Sequence, residues 1–308
     1  MGTTASITTS YSGEFAGTYV SAALLSGTTL ANDLITIKPN IKFKEVMKKV
    51  ASDDIVKNGS CDFDATSTLT LTERILTPEE FQVNLQLCKK DFVSDWEAIS
   101  MGYSAYSDLP ASFSDFLIAH VSAKVAQRME NNIWGGTNAT EGQFDGFRTT
   151  LLADGDVVDV GAGAAVTASN VISKMGLVAD AIPQSVYGAD DLLIYVAPNV
   201  YRAYVRALGG FATNVGAAGT NDQGTQWFNG GALTFDGLNV VLASGLASDT
   251  MVAAEKSNLF FGTGLMNDQQ EVKVIDMADI DGSQNVRVVM RFTAGIQHAI
   301  GSDIVLYS

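Results

Sequence analysis

The sequence predicts an α+β fold, and three observations carry that prediction. Two runs of strict apolar–polar alternation lie close together near residues 68–87. One long amphipathic pattern covers 112–134. Short helix and strand patterns then mix up to about residue 255, and strand patterns alone fill the C-terminal third. The chain has 308 residues, 46% hydrophobic and 17% charged, enough apolar material for a sizeable core and too little charge for a disordered chain.

From the N-terminus, residues 1 to about 30 are rich in Gly, Ser, Thr and Ala, and Glu14 is the only charged residue before Asp33. Such a segment buries too little apolar surface to fold alone, so it is either a disordered tail or an arm that orders against a neighbour. Residues 38–57 hold the lysine cluster Lys38, Lys42, Lys44, Lys48, Lys49 and Lys57, offset by Glu45, Asp53 and Asp54. It is either a solvated face or a contact with an acidic partner surface. From residue 101 onward the chain carries 10 basic against 21 acidic residues, so the rest of the molecule could supply that surface.

Thr68-Leu69-Thr70-Leu71-Thr72 and Phe81-Gln82-Val83-Asn84-Leu85-Gln86-Leu87 each alternate, with Thr77-Pro78-Glu79-Glu80 between them. The pattern predicts a β-hairpin centred on Pro78. Leu69 then faces Leu87, Leu71 faces Leu85, and Ile75 faces Phe81, with all the apolar residues on one face. Cys88 falls opposite Thr68, roughly 20 Å from Cys61 at about 3.3 Å per strand residue, so both thiols are expected to be free.

Ser112-Phe113-Ser114-Asp115 has the form of a capping box after Pro110. Phe113, Leu117, Val121, Val125, Met129 and Ile133 recur every four residues, and Gly135-Gly136 closes the pattern. This predicts a helix about 35 Å long. Next come a short strand at Val157–Val160, a helix from Thr167 to Pro183, a buried strand at Leu192–Ala197, and a helix from Pro198 to Gly209-Gly210. Residues 209–231 form a Gly- and Asn-rich loop. Asp236-Gly237 joins two apolar runs as a tight hairpin. The remaining strands are Met251–Ala254, Glu271–Asp276, Val286–Ala294 and Ile304–Tyr307.

Chemistry is sparse. Gly161-Ala162-Gly163 sits between a strand and a helix, but Val166 stands where a dinucleotide fingerprint needs its third glycine. There is no Gly-Lys dipeptide for a phosphate loop. Asp279-Ile280-Asp281-Gly282 lacks the first and last ligands of a calcium loop. His120 and His298 are isolated, which argues against a metal site or a nucleophile–base pair. No cofactor, metal or catalytic residue is therefore assigned, and the protein is expected not to be an enzyme. The net charge of −15 opposes binding to nucleic acid through phosphates. No apolar run reaches the roughly 18 residues of a spanning helix, and the N-terminus has no signal-peptide pattern.

The order of elements resembles the major capsid proteins of tailed bacteriophages, the Hong Kong 97-like fold. An arm leads to a basic segment and alternating strands, then a long helix, a mixed α/β region and closing antiparallel strands. The stretch Leu71-Thr72-Glu73-Arg74-Ile75-Leu76-Thr77-Pro78-Glu79-Glu80-Phe81-Gln82-Val83-Asn84-Leu85 also resembles capsid sequences. The resemblance implies an N-terminal arm (1–34), an E-loop (35–95), a peripheral domain with a spine helix (96–149 and 256–308) and an axial domain (150–255). It implies a homo-oligomer of hexamers and pentamers, tiled into an icosahedral shell around double-stranded DNA without sequence-specific binding. A separate scaffolding protein, a portal and decoration proteins would be its partners, with assembly in the host cytoplasm and no membrane. The expected inter-subunit contacts are Leu69, Leu71, Phe81, Val83, Leu85 and Leu87, with Lys42, Lys44, Lys48 and Lys49 approaching acidic residues of another chain. An encapsulin-type or other self-assembling shell component is the alternative, and a nucleotide-dependent α/β enzyme using the Gly161 loop is a more distant one.

Overall fold

The computed structural model describes residues 10–12, 27–52, 56, 58–59, 69–88, 111–161, 165–208, 233–264 and 271–308. In chain order the elements are β1 (Ser10–Ser12), α1 (Thr28–Ala31), β2 (Thr36–Lys38), β3 (Glu45–Ser52), β4 (Leu69–Leu76), β5 (Glu79–Cys88) and α2 (Ala111–Gly135). There follow α3 (Phe147–Ala153), β6 (Val158–Asp159), α4 (Val171–Asp180), β7 (Leu192–Val196), α5 (Pro198–Leu208), β8 (Leu233–Phe235), β9 (Leu238–Leu242) and β10 (Met251–Glu255). The chain closes with β11 (Leu259–Gly262), β12 (Glu271–Asp276), α6 (Ala278–Asp281), β13 (Asn285–His298) and β14 (Val305–Tyr307). The α+β class is as expected. The chain divides into two compact units, one of Met1–Lys42, Pro78–Asn131 and Gly262–Gly295, the other of Phe43–Thr77, Asn132–Phe261 and Ile296–Ser308.

The first unit is built on β13. Strand β12 pairs antiparallel with it from Glu271↔Arg291 to Asp276↔Val286, and β5 from Glu79↔Ala294 to Cys88↔Asn285. Period-2 alternation decides its faces: Val286, Val288, Met290 and Phe292 are at most 3% exposed, while Arg287 and Arg291 face solvent. Along α2 the four-residue stripe predicted from sequence is buried at Leu117, Val121, Val125 and Met129. Glu130, also buried, accepts the Thr29 backbone N–H at 3.0 Å and the Thr29 hydroxyl at 2.6 Å. A carboxylate from α2 thus satisfies the open N-terminus of α1. The N-terminal segment finds a partner within its own chain too, because β1 adds to β12 through Ser10↔Lys273.

The second unit is built on a mixed six-stranded sheet in the order β6-β14-β10-β7-β9-β8. Its central strand β7 reads as a continuous apolar run, and Ile194, Tyr195 and Val196 are fully buried. Trp134, from the end of α2, is fully buried between Phe147 (ring centroids 5.4 Å apart) and Tyr195 (5.1 Å). The Asp236-Gly237 hairpin forms as expected, with φ of +48° and +82° at its two central residues. Helix α4 starts at Val171, later than the expected Thr167. Thr167–Asn170 forms a turn instead, with the Asn170 Oδ1 accepting the Thr167 N–H at 2.7 Å.

One predicted pairing is overturned. β4 and β5 do not pair with each other. β4 pairs with β3, from Leu69↔Ser52 to Leu76↔Glu45, and β5 pairs with β13 in the other unit. Cys88 accordingly lies opposite Asn285 and not Thr68. It is a free thiol, and Cys61 lies outside the described residues. The physical reason is in the link. A two-residue hairpin connection needs positive φ, and the proline ring locks φ near −65°. Neither Thr77 nor Pro78 has positive φ, so Thr77-Pro78 passes the chain onward instead of turning it back.

Candidate assembly surface

The β3–β4 ribbon is one of the places where the second unit exposes apolar side chains. Directly opposed residues of an antiparallel pair share a face. Val46↔Ile75 and Lys48↔Glu73 form one face, Glu45↔Leu76 and Met47↔Arg74 the other. The second face is the anchored one: Leu76 is fully buried and Arg74 is half-buried. The first face points outward, with Val46 46% and Ile75 43% exposed, and Lys48 and Glu73 in solvent. Just before the ribbon, Phe43 is 77% exposed, with the Lys44 Nζ 5.5 Å from its ring centroid. Val46 and Ile75 are thus an exposed apolar cross-strand pair beside the opposite-charge pair Lys48 and Glu73.

The expected contact residues are not on one surface. Leu69 and Leu71 have their backbones on the ribbon, opposite Ser52 and Val50. Phe81, Val83, Leu85 and Leu87 lie on β5, opposite Phe292, Met290, Val288 and Val286. Phe81 stacks on Phe292 with centroids 5.7 Å apart, so part of the β5 apolar face serves the first unit's own sheet. Leu85 remains 43% exposed. Lys42, Lys44 and Lys48 all reach solvent, and Lys49 stands opposite Thr72. The expected contacts left out Phe43 and Val46, and also Ile75, which the sequence had placed on the apolar face. The stretch Glu45-Val46-Met47-Lys48-Lys49-Val50 has no strict apolar–polar alternation, so it reads in sequence as a basic segment and not as a strand.

The ribbon is tied down at its base by a charged cluster from three elements. Arg74 on β4 donates from its guanidinium to Oδ2 of Asp154, just after α3, and lies 3.9 Å from Asp156 Oδ2. His298, at the end of β13, places Nε2 2.7 Å from that same Asp154 oxygen. The other Asp154 oxygen accepts the Asp156 N–H at 3.1 Å. Gln297 adds a hydrogen bond from Nε2 to the Ile75 carbonyl at 3.2 Å. Gly301 has to be glycine here, since a Cβ would collide with the Asp154 carboxylate. Burial works against the Asp154 charge, yet the hydrogen bonds from His298, Asp156 and Arg74 outweigh it and hold its carboxyl below the usual range. Burial pushes the His298 imidazole down, Arg74 adds to that, and the Asp154 bond only partly opposes it. His298, isolated in the sequence, thus gains its partner only through the fold.

The arrangement does not support nucleotide chemistry at Gly161. β6, which leads into it, lies at the sheet edge beside β14, three places from β7. The parallel strand–helix–strand unit that cradles a dinucleotide does not form there. Among the described residues no group of three or more metal-ligating side chains converges, and no helix is long and apolar enough to cross a membrane.

No protein-family model and no curated protein matches the sequence. Solved structures do match in fold. The capsid of a native GTA particle matches with a TM-score of 0.62 at 14% identity, over 93% of this chain and 89% of that one. The capsid of the Myoviridae phage XM1 matches with 0.56 at 14% identity, over 91% of each chain. A virus-like particle from Pyrococcus furiosus matches with 0.52 at 8% identity, over 94% and 96%. The chain shares its fold with these shell proteins, in line with the resemblance read from the sequence.

Proposed function

We propose that this chain is the major capsid protein of a tailed bacteriophage. Its copies form pentamers and hexamers that close into an icosahedral shell around double-stranded DNA. The observation that carries the reading is the coverage. The fold match to the XM1 capsid takes in 91% of this chain and 91% of that one, so the likeness extends well beyond a shared motif. The role is structural, with no catalytic residue assigned.

Within that reading, residues 1–34 act as the N-terminal arm and 35–95 as the E-loop. Residues 96–149 and 256–308 form the peripheral domain, and 150–255 the axial domain. The E-loop's projecting part is the β3–β4 ribbon. A two-stranded ribbon is marginal in water without something to lie on. Its outward face, with Val46 and Ile75, packs on the adjacent subunit, and the exposed Phe43 just before the ribbon adds to that contact. Lys42, Lys44, Lys48 and Lys49 approach acidic residues there, as the −15 net charge of each copy allows. Leu69 and Leu71 extend this contact along the ribbon. On β5 the exposed Leu85, flanked by the half-buried Phe81, Val83 and Leu87, makes a second and separate contact. Portal, scaffolding and decoration proteins complete the particle, which is built in the host cytoplasm and resides in the virion.

The test is mass and shape of the purified chain, by light scattering on a sizing column and negative-stain microscopy. Rings of five and six or megadalton spheres support the reading. A monomer or dimer at every salt and protein concentration contradicts it. Packaged cargo protein in place of nucleic acid would assign the chain to an encapsulin-type compartment.

A further inference from the structure

We propose that Arg74, Asp154 and His298 form a latch that fixes the angle of the β3–β4 ribbon on the second unit, and that the latch opens when His298 takes up a proton. Arg74 and His298 converge on one carboxylate oxygen, Asp154 Oδ2. An ionised carboxylate can only accept, so Nε2 of a neutral His298 carries the hydrogen and Nδ1 is bare. Nδ1 is buried with no hydrogen-bond partner, and the His298 side chain is 1% exposed. That is tolerable for a bare acceptor. A proton there creates a buried N–H with no acceptor and a second cation on the oxygen that Arg74 uses.

The charged groups facing His298 are Asp154 from the turn after α3 and Arg74 from β4, and Asp156 stands beside Arg74. Asp156 gives Arg74 somewhere to go. Its side chain is 74% exposed and already 3.9 Å from the guanidinium. When His298⁺ claims Asp154, Arg74 swings toward Asp156 and solvent, and the ribbon loses its ionic anchor. Leu76 and the Gln297–Ile75 hydrogen bond then hold only its root. Arg74 is in this sense a positioning residue and His298 its proton-sensitive control. The consequence for shell building rests on the capsid reading, whereas the latch itself does not.

The experiment measures distance within one chain. Spin labels are attached at Lys48→Cys on the ribbon and Ile172→Cys on α4, with Cys61→Ser and Cys88→Ser. Labelled chain is diluted into unlabelled chain, so the measurement works whether or not shells form. The distance distribution should be narrow at about pH 8 and about twice as wide at about pH 5, the window in which histidine titrates. Its midpoint should lie below the ordinary histidine value of 6.5. His298→Gln offers a neutral Nε2 donor in a similar place and should stay narrow at both. Arg74→Ala should be wide at both, and Arg74→Lys should fall between if the alanine variant does not fold. A wild-type distribution that does not widen, or a His298→Gln chain that widens with the wild-type midpoint, overturns the latch.

Discussion

Replacing Phe43 with Ser, Val46 with Thr and Ile75 with Thr together should weaken assembly while leaving the subunit folded. Threonine keeps the strand preference of the two ribbon positions, so the ribbon itself is retained. The three side chains are 77%, 46% and 43% exposed in the subunit. Burying a whole side chain of this kind contributes about 1.5–3 kcal/mol, so covering what each leaves exposed is worth roughly 2.5–5 kcal/mol per subunit in total. A neighbour covers such a patch incompletely, and halving the figure gives about 1.3–2.5 kcal/mol. At 1.4 kcal/mol per decade, the concentration at which particles appear should rise roughly 10- to 70-fold. The assay is sedimentation of particles against free subunits over a dilution series. Circular dichroism should show the subunit's thermal midpoint nearly unmoved, since each change is at the surface. An unchanged threshold concentration with a folded subunit would refute the claim that this face is covered in the particle.

Other predictions follow from the two cores. Trp134→Ala removes a fully buried ring stacked between Phe147 and Tyr195 and should cost about 3–5 kcal/mol, read as a lower urea midpoint. Glu130→Ala deletes a charged acceptor that takes two hydrogen bonds from Thr29. It should cost about 1.5–3 kcal/mol and speed amide exchange at residues 29–31. Acid should destabilise the second unit through His298. Its folded-state value lies below 6.5, so the unfolded chain binds the proton first. Stability is then full above 6.5 and falls as pH drops toward the folded value. Asp154 acts lower. Its carboxyl is held below 3.8, so its contribution is intact above that value and is lost only as pH falls further. Calorimetry between about pH 8 and pH 5 therefore separates the histidine from Asp154, and His298→Gln should flatten that slope.

Much of the fold was legible because its signals are local. The four-residue stripe from Leu117 to Ile133 marks α2 without reference to anything else, and Asp236-Gly237 carries the positive φ that its hairpin needs. What could not be read were partnerships. Alternation in Leu69–Leu71 and Phe81–Leu87 specifies strands and faces, yet it does not say which strand lies alongside. Proximity in sequence suggested that the two runs pair with each other, although Pro78 argues against a tight turn. The latch was beyond reach for the same reason: Arg74, Asp154 and His298 are 80 and 144 residues apart and meet only after the sheet has formed. The acidic, glycine-rich composition excluded functions more readily than it pointed to one.

The most direct test is an electron-microscopy reconstruction of the particle this chain forms, at a resolution that traces the ribbon. The expected result is a closed shell of pentamers and hexamers, with the β3–β4 ribbon lying on an adjacent subunit and Val46 and Ile75 covered. A small discrete oligomer, or a shell whose ribbons project into solvent, would contradict it.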